Sequence, residues 1–158
     1  MISNPRDLTV QLLGEILFVE RRLADRVLDE LRSQVRDQEL RALLAEHRDE
    51  TRDHVERTET AFRRLEVAPT SNLSRPFESA AAEHDARAAS IADPVLADLF
   101  HAHAALAVEH REMAAYRTVL PLVPVELREL LEPSCREEDD TAKRLLRAIN
   151  RLARADQP

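Results

Sequence analysis

The chain has 158 residues, 23 Lys and Arg against 30 Asp and Glu for a net charge of -7, one Gly, 3% aromatic residues and a single cysteine. That length suits one domain over residues 1–158 with a sizeable core, and mixed charge at 34% argues for a solvated surface and against a nucleic-acid face. No apolar run is long enough to cross a bilayer, no signal peptide opens the chain, and Cys135 has no partner for an internal disulfide, so the expectation is a chain in the reducing cytoplasm with no membrane contact.

Leu, Ala, Arg and Glu dominate while Val and Ile are few, which favours helix throughout and leaves no alternating strand pattern. Asp7 is the expected cap of a first helix whose inner face carries Leu13, Ile16, Leu17, Leu23, Ala24, Val27, Leu28 and Leu31. Asp37 is the expected cap of a second, with Leu40, Leu43, Leu44, Val55, Phe62 and Leu65 inward. The short turn between them makes the two antiparallel. The stretch Pro69 to Pro76 reads as a loop, and the Ala-rich segment from Phe77 to about Ile91 as a shorter helix. Asp93-Pro94 opens a third long helix with proline at its first position, carrying Leu96, Leu99, Phe100, Leu106 and Met113 and ending before Pro121. A fourth runs from about Val125 to Ala153, with Leu127, Leu130, Leu131, Leu145, Leu146, Ile149 and Leu152 inward. Two antiparallel helical hairpins joined by a long crossover with a short extra helix make an all-α, ferritin-like four-helix bundle.

Polar residues interrupt the apolar stripes. Glu20 falls between Ile16-Leu17 and Leu23-Ala24, and Glu138 between Leu131 and Leu145. A carboxylate in the middle of an apolar face is expensive unless a metal, a cation or a proton compensates it. The second helix brings His47, Glu50, Thr51 and His54 toward one side at spacings of three and four. The third brings His103, Glu109, His110 and Glu112. Glu20, Glu50, Glu109 and Glu138 thus supply one acid from each helix, the requirement of a dinuclear carboxylate centre. Added imidazole suits iron, manganese or zinc. Singly, each residue has a plainer reading: the Glu residues as surface charge, His47 and His103 as satisfied core histidines, and Arg side chains as neutralisers of Glu20 or Glu138.

Four strings carry a resemblance over about Leu8 to Leu152. They are Val19-Glu20-Arg21-Arg22-Leu23, His47-Arg48-Asp49-Glu50-Thr51 running on to His54-Val55-Glu56-Arg57, Val108-Glu109-His110-Arg111-Glu112-Met113-Ala114-Ala115-Tyr116, and Glu137-Glu138-Asp139-Asp140-Thr141. With these the chain resembles the YciE/YciF-type stress-associated ferritin-like proteins of bacteria. The resemblance implies a ferritin-like bundle, a dinuclear metal centre and a link to stress responses. Residue by residue it implies Glu20, Glu50, Glu109 and Glu138 as ligands, with Glu112 a further acid. The sequence departs where many ferritin-like sites have a His three residues after the Glu of helices two and four: Asp53 and Thr141 stand there.

The expectation is therefore a protein binding one or two Fe or Mn ions through Glu20, Glu50, Glu109, Glu112 and Glu138, with His47, His54 and His110 completing or orienting the shell. Oxidation of Fe(II) by oxygen or peroxide in stress protection would be its chemistry, and a homodimer its assembly. Tyr116, the only tyrosine, is either an electron relay or plain packing. The competing expectation is a metal-free bundle serving as a structural or interaction module.

Overall fold

The computed structural model describes residues 2–155. The first long helix is built from α1 (Pro5–Arg22), one wide π turn at Leu23–Val27, and α2 (Leu28–Gln34). Next come α3 (Gln38–Arg64), the crossover helix α4 (Arg75–Ala88), α5 (Pro94–Val119), a 3₁₀ turn at Leu120–Leu122, and α6 (Val125–Ala155). Helix α1 packs on α3 and α5, and α6 packs on the same two from the opposite corner. The result is the expected all-helical, ferritin-like bundle of two hairpins and one crossover.

Capping explains most of the boundaries, with one correction. Asn4, not Asp7, caps α1: its side-chain oxygen accepts from the Asp7 N–H at 2.9 Å. Pro5 then takes the first helical position, where a missing N–H costs nothing. Asp7 instead sits inside the first turn and accepts from Ser3 N–H and Ser3 Oγ. The Asp37 and Asp93 caps are as expected, accepting from Leu40 N–H and from the Val95 and Leu96 N–H groups. Asp98 of α5 reaches back to accept from Arg36 N–H at 2.9 Å and Asp37 N–H at 2.8 Å, tying the second hairpin to the first turn of α3. The crossover is pinned at the only glycine. Asn72 N–H donates to Gly14 O at 2.8 Å, and a Cβ on Gly14 would lie 2.3 Å from Asn72 Nδ2.

Leu96 and Leu146 were expected inward and are about half exposed, because each lies one residue off its helix's buried stripe, about 100° around the axis. The buried residues form two apolar clusters. One holds Leu28, Leu31, Leu40, Leu44, Ala105 and Leu145. The other holds Leu13, Leu17, Phe62, Tyr116, Leu127 and Leu131. On each of the four long helices at least one buried polar residue falls between members of the two clusters: Glu20, the run from His47 to Thr58, Glu109 with Glu112, and Glu138 with Thr141.

Candidate metal centre

The layer between the apolar clusters holds Glu20, His47, His54, Glu109, Glu112 and Glu138, each at most 2% exposed. Each arrives there by helical phase. On α3 the buried positions Leu40, Leu44, His47, Thr51, His54, Thr58 and Phe62 step by threes and fours. On α5 the same stepping buries Ala105, Glu109, Glu112 and Tyr116, and on α6 Leu131, Glu138, Thr141 and Leu145. Glu20 continues the stripe of Leu13, Ile16 and Leu17 and lies three residues before the start of the π turn, a wide turn often found at functional sites.

Two overlapping donor sets emerge. Glu20, His54 and Glu138 place one ligand atom each within 4.8 Å of one another, and so do His47, Glu109 and Glu138. Glu138 is common to both. His54 Nδ1 lies 2.8 Å from Glu138 Oε1 and 3.3 Å from Glu20 Oε1, while His47 Nε2 lies 3.0 Å from Glu109 Oε1. Close as they are, these contacts are not aligned as hydrogen bonds: His54 Nδ1, both ring nitrogens of His47 and both oxygens of Glu138 have no hydrogen-bond partner among the described residues. Glu112 sits three residues after Glu109 with both carboxylate oxygens buried and unpartnered. Buried polar atoms left without partners are rare and costly. A shared cation would satisfy this whole set at once, so the residues present fit a metal.

The surrounding contacts orient the donors. His54 Nε2 is 2.9 Å from Glu137 Oε2, and Arg57 grips the same carboxylate and the Ser134 hydroxyl. A carboxylate behind an imidazole fixes the ring and its tautomer, leaving Nδ1 facing inward. Tyr116 O–H donates to Glu20 Oε1 at 2.7 Å, leaving Oε2 as the free oxygen. Thr51 Oγ1 donates to His47 O within α3, so it fills space without competing for a ligand.

Electrostatics follow from crowding acids in a dry layer. Burial raises the Glu20 carboxyl, and Glu138 repulsion adds to it against the pull of His54. Burial also lifts Glu112 well above the carboxylate range, reinforced by Glu20, Glu138 and Glu109. Burial, then Glu109, pushes Glu138 up to about 8. Burial opposes protonation of the two histidines, yet both are raised, His47 chiefly by Glu109 and His54 chiefly by Glu20. Glu137 goes the other way, to about 2, through its bonds from His54 and Arg57.

Not every expected residue joins the layer. His110 is exposed on α5, one position and about 100° around from Glu109, and His103 is exposed beside Phe100. Glu50 stands at the rim with its side chain 36% exposed. It lies 3.7 Å from His47 Nδ1 and accepts from Thr141 Oγ1 at 3.4 Å. Helix α3 therefore brings its two histidines to the centre and leaves its acid at the edge. Sequence reasoning missed the orienting pair Glu137 and Arg57, although Arg57 follows His54 by three residues and so shares its side of the helix.

Residues 4–157 match the model of the DUF892 family, described as a domain of unknown function. Among solved structures, YcfI of Rhodopseudomonas palustris, a candidate structural protein, is 26% identical. That match covers 91% of this chain and 94% of that one with a TM-score of 0.87. The E. coli stress protein YciF is 21% identical over 97% of this chain and 99% of that one, with a TM-score of 0.89, a likeness of fold. No curated protein matches the chain.

Proposed function

The chain belongs to the DUF892 family, and from that premise we propose that its bundle holds a dinuclear transition-metal centre, iron or manganese, serving stress protection. The observation that carries this reading is Glu138, a buried carboxylate common to two donor sets with neither oxygen hydrogen-bonded. Carboxylates and imidazoles from four helices, with no thiolate among them, suit iron or manganese. Glu20 and His54 would hold one ion, and His47 and Glu109 the other. Glu138 would serve both, and Glu112, buried one turn from Glu109, would be a further acid available to them. Glu50 is a rim residue that shields His47. When bound, such a pair of ions supplies redox chemistry toward oxygen or peroxide, with Fe(II) as the simplest substrate. The chain's own residues hold Glu20 and His54 in orientation through Tyr116 and Glu137, and the two apolar clusters exclude bulk water. The description of YciF as a stress protein supports the physiological half of the proposal. A cytoplasmic homodimer is the setting in which we place it.

Metal retention tests the centre. After loading with Fe(II) or Mn(II) and desalting, the wild type should keep about two ions per chain. Glu138→Ala and His54→Ala should lose them, and His110→Ala should not. Equal retention in wild type, Glu138→Ala and His54→Ala would sink the centre. Ferric formation no faster than in buffer would remove the redox activity while leaving binding intact. Light scattering that gives a monomer or a large cage would reject the homodimer.

The second reading is a metal-free structural module. It draws on His54, which as imidazolium faces Glu20, Glu137 and Glu138 and offsets part of their charge. The description of YcfI as a candidate structural protein points the same way. Failure of every metal to raise the melting temperature would favour it.

A further inference from the structure

Between the crossover helix α4 and the bundle lies a half-open cavity of about 570 Å³, within the range of small-molecule sites. Leu23 and Val27 at the two ends of the π turn, Leu28 and Leu31 of α2, Phe77 of α4 and Ala105 of α5 line its walls. Glu109, already placed in the polar layer, also lines it. Phe77 is the only fully buried residue of α4, so the crossover stands off the bundle and leaves this space unfilled.

Charged groups around the cavity are almost all paired. Glu30 is held by Arg26, Glu83 by Arg87 and Asp85 by His84. Phe100 stacks on His84 with ring centroids 5.3 Å apart. Arg111 is the exception. It lines the cavity, is exposed, and has no carboxylate within salt-bridge reach among the described residues. An apolar wall beside one guanidinium with no protein carboxylate on it favours an anion with an apolar body, because the planar fork of Arg matches a carboxylate with two parallel hydrogen bonds.

We infer that this cavity binds an apolar carboxylate, an alkyl or aryl acid of modest size, with Arg111 taking the head group and the wall of Leu23, Leu28, Leu31 and Phe77 taking the body. The Glu109 carboxylate repels the anionic head, which orients the apolar end toward the polar layer. Binding itself needs no metal. That the bound acid lies beside a metal centre rests on the proposed function.

The two claims separate in one set of titrations. Decanoate added to protein in EDTA should show a single saturable site by calorimetry, and decyltrimethylammonium should show none. Arg111→Gln should weaken decanoate about tenfold, the loss of a hydrogen bond to a charged group. Ala81→Trp, which fills the cavity from a partly exposed position on α4, should abolish binding while the melting temperature of both variants stays near that of the wild type. Equal binding of the cationic amphiphile, decanoate binding as tight in Arg111→Gln as in the wild type, or decanoate binding that persists in Ala81→Trp, overturns the inference. If Ala81→Trp disturbs folding, Arg111→Gln alone decides. In Co(II)-loaded protein, decanoate should shift the visible absorption in the wild type and not in Ala81→Trp. Loss of cobalt binding with decanoate binding intact removes the metal reading alone. Absent decanoate binding with cobalt retained removes the cavity inference alone.

Discussion

Replacing Glu138 with Gln tests whether the polar layer is held together by a metal or by its own protons. The folded carboxyl is raised from 4.5 to about 8 by burial and by Glu109. A raised folded pKa means that its contribution to stability is complete below about pH 4.5 and is lost as pH rises through about 8. One pKa unit is about 1.4 kcal/mol, so between pH 4.5 and 7 the wild type without metal forfeits up to about 3 kcal/mol relative to a side chain that never ionises. Gln has the shape of the protonated acid and can donate to Glu109. The value of about 8 already contains the pull of His54 and His47 toward the ionised form, so the net gain should be about 1–3 kcal/mol at neutral pH, the range seen when a buried charge is replaced by a neutral side chain. Urea denaturation in EDTA should show Glu138→Gln more stable than wild type at about pH 7 and the two converging toward about pH 5. With Mn(II) the order should reverse, since an ion that binds only the folded wild type stabilises it by mass action. A variant less stable than wild type in EDTA at pH 7, or a gap that does not change with pH, would refute the reasoning. Glu138 would then be an ionised partner of His54.

Three other substitutions probe the frame around the centre. Tyr116→Phe removes the only hydrogen bond to Glu20 Oε1 among the described residues, in a fully buried place, and should cost about 1–3 kcal/mol; an unchanged thermal melt would show that Glu20 is satisfied by another group. Gly14→Ala gains up to about 1 kcal/mol of helix propensity but drives a Cβ into the Asn72 amide at 2.3 Å. We expect a net loss of about 1 kcal/mol that Asn72→Ala partly relieves; additive effects in that double-mutant cycle would reject the clash. Asp98→Asn exchanges one of two acceptors for an N–H₂ facing a backbone N–H and should destabilise by about 1–2 kcal/mol in urea, with no change in metal retention.

The helix order, the crossover and the caps at Asp37 and Asp93 were legible because each rests on local chemistry that the sequence states directly. The centre was legible in part. Glu20 and Glu138 stood out as acids on otherwise apolar stripes, and the structure buries both. On α3 the local pattern was ambiguous: Glu50, His47 and His54 all fall within two turns, and choosing among them needs the phase of the whole stripe from Leu40 to Phe62. On α5 the stripe is rich in alanine, which gives little contrast between inside and outside, so His110 looked as eligible as Glu109. The orienting contact from Glu137 to His54 spans 83 positions in the chain and belongs to no single helix. The standing-off of α4 likewise depends on packing between elements, which no local pattern reports.

The π turn after Glu20 also determines where this gene can change length. A wide turn is an α-helix carrying one surplus residue, the remainder of the helix keeping its facing. Anywhere else in the four long helices, dropping a residue would turn everything beyond it by about 100° and take the buried stripe out of the core. Between Leu23 and Val27 the same deletion would return the turn to α geometry, with Glu20 on one side and Leu28 and Leu31 on the other still facing inward. Asp25 and Arg26 are exposed there, so the surplus residue bears no core contact of its own. Descendants of this sequence can therefore vary by one codon at the heart of the bundle, and the variation would alter the cavity wall formed by Leu23 and Val27 while leaving the carboxylate layer in register.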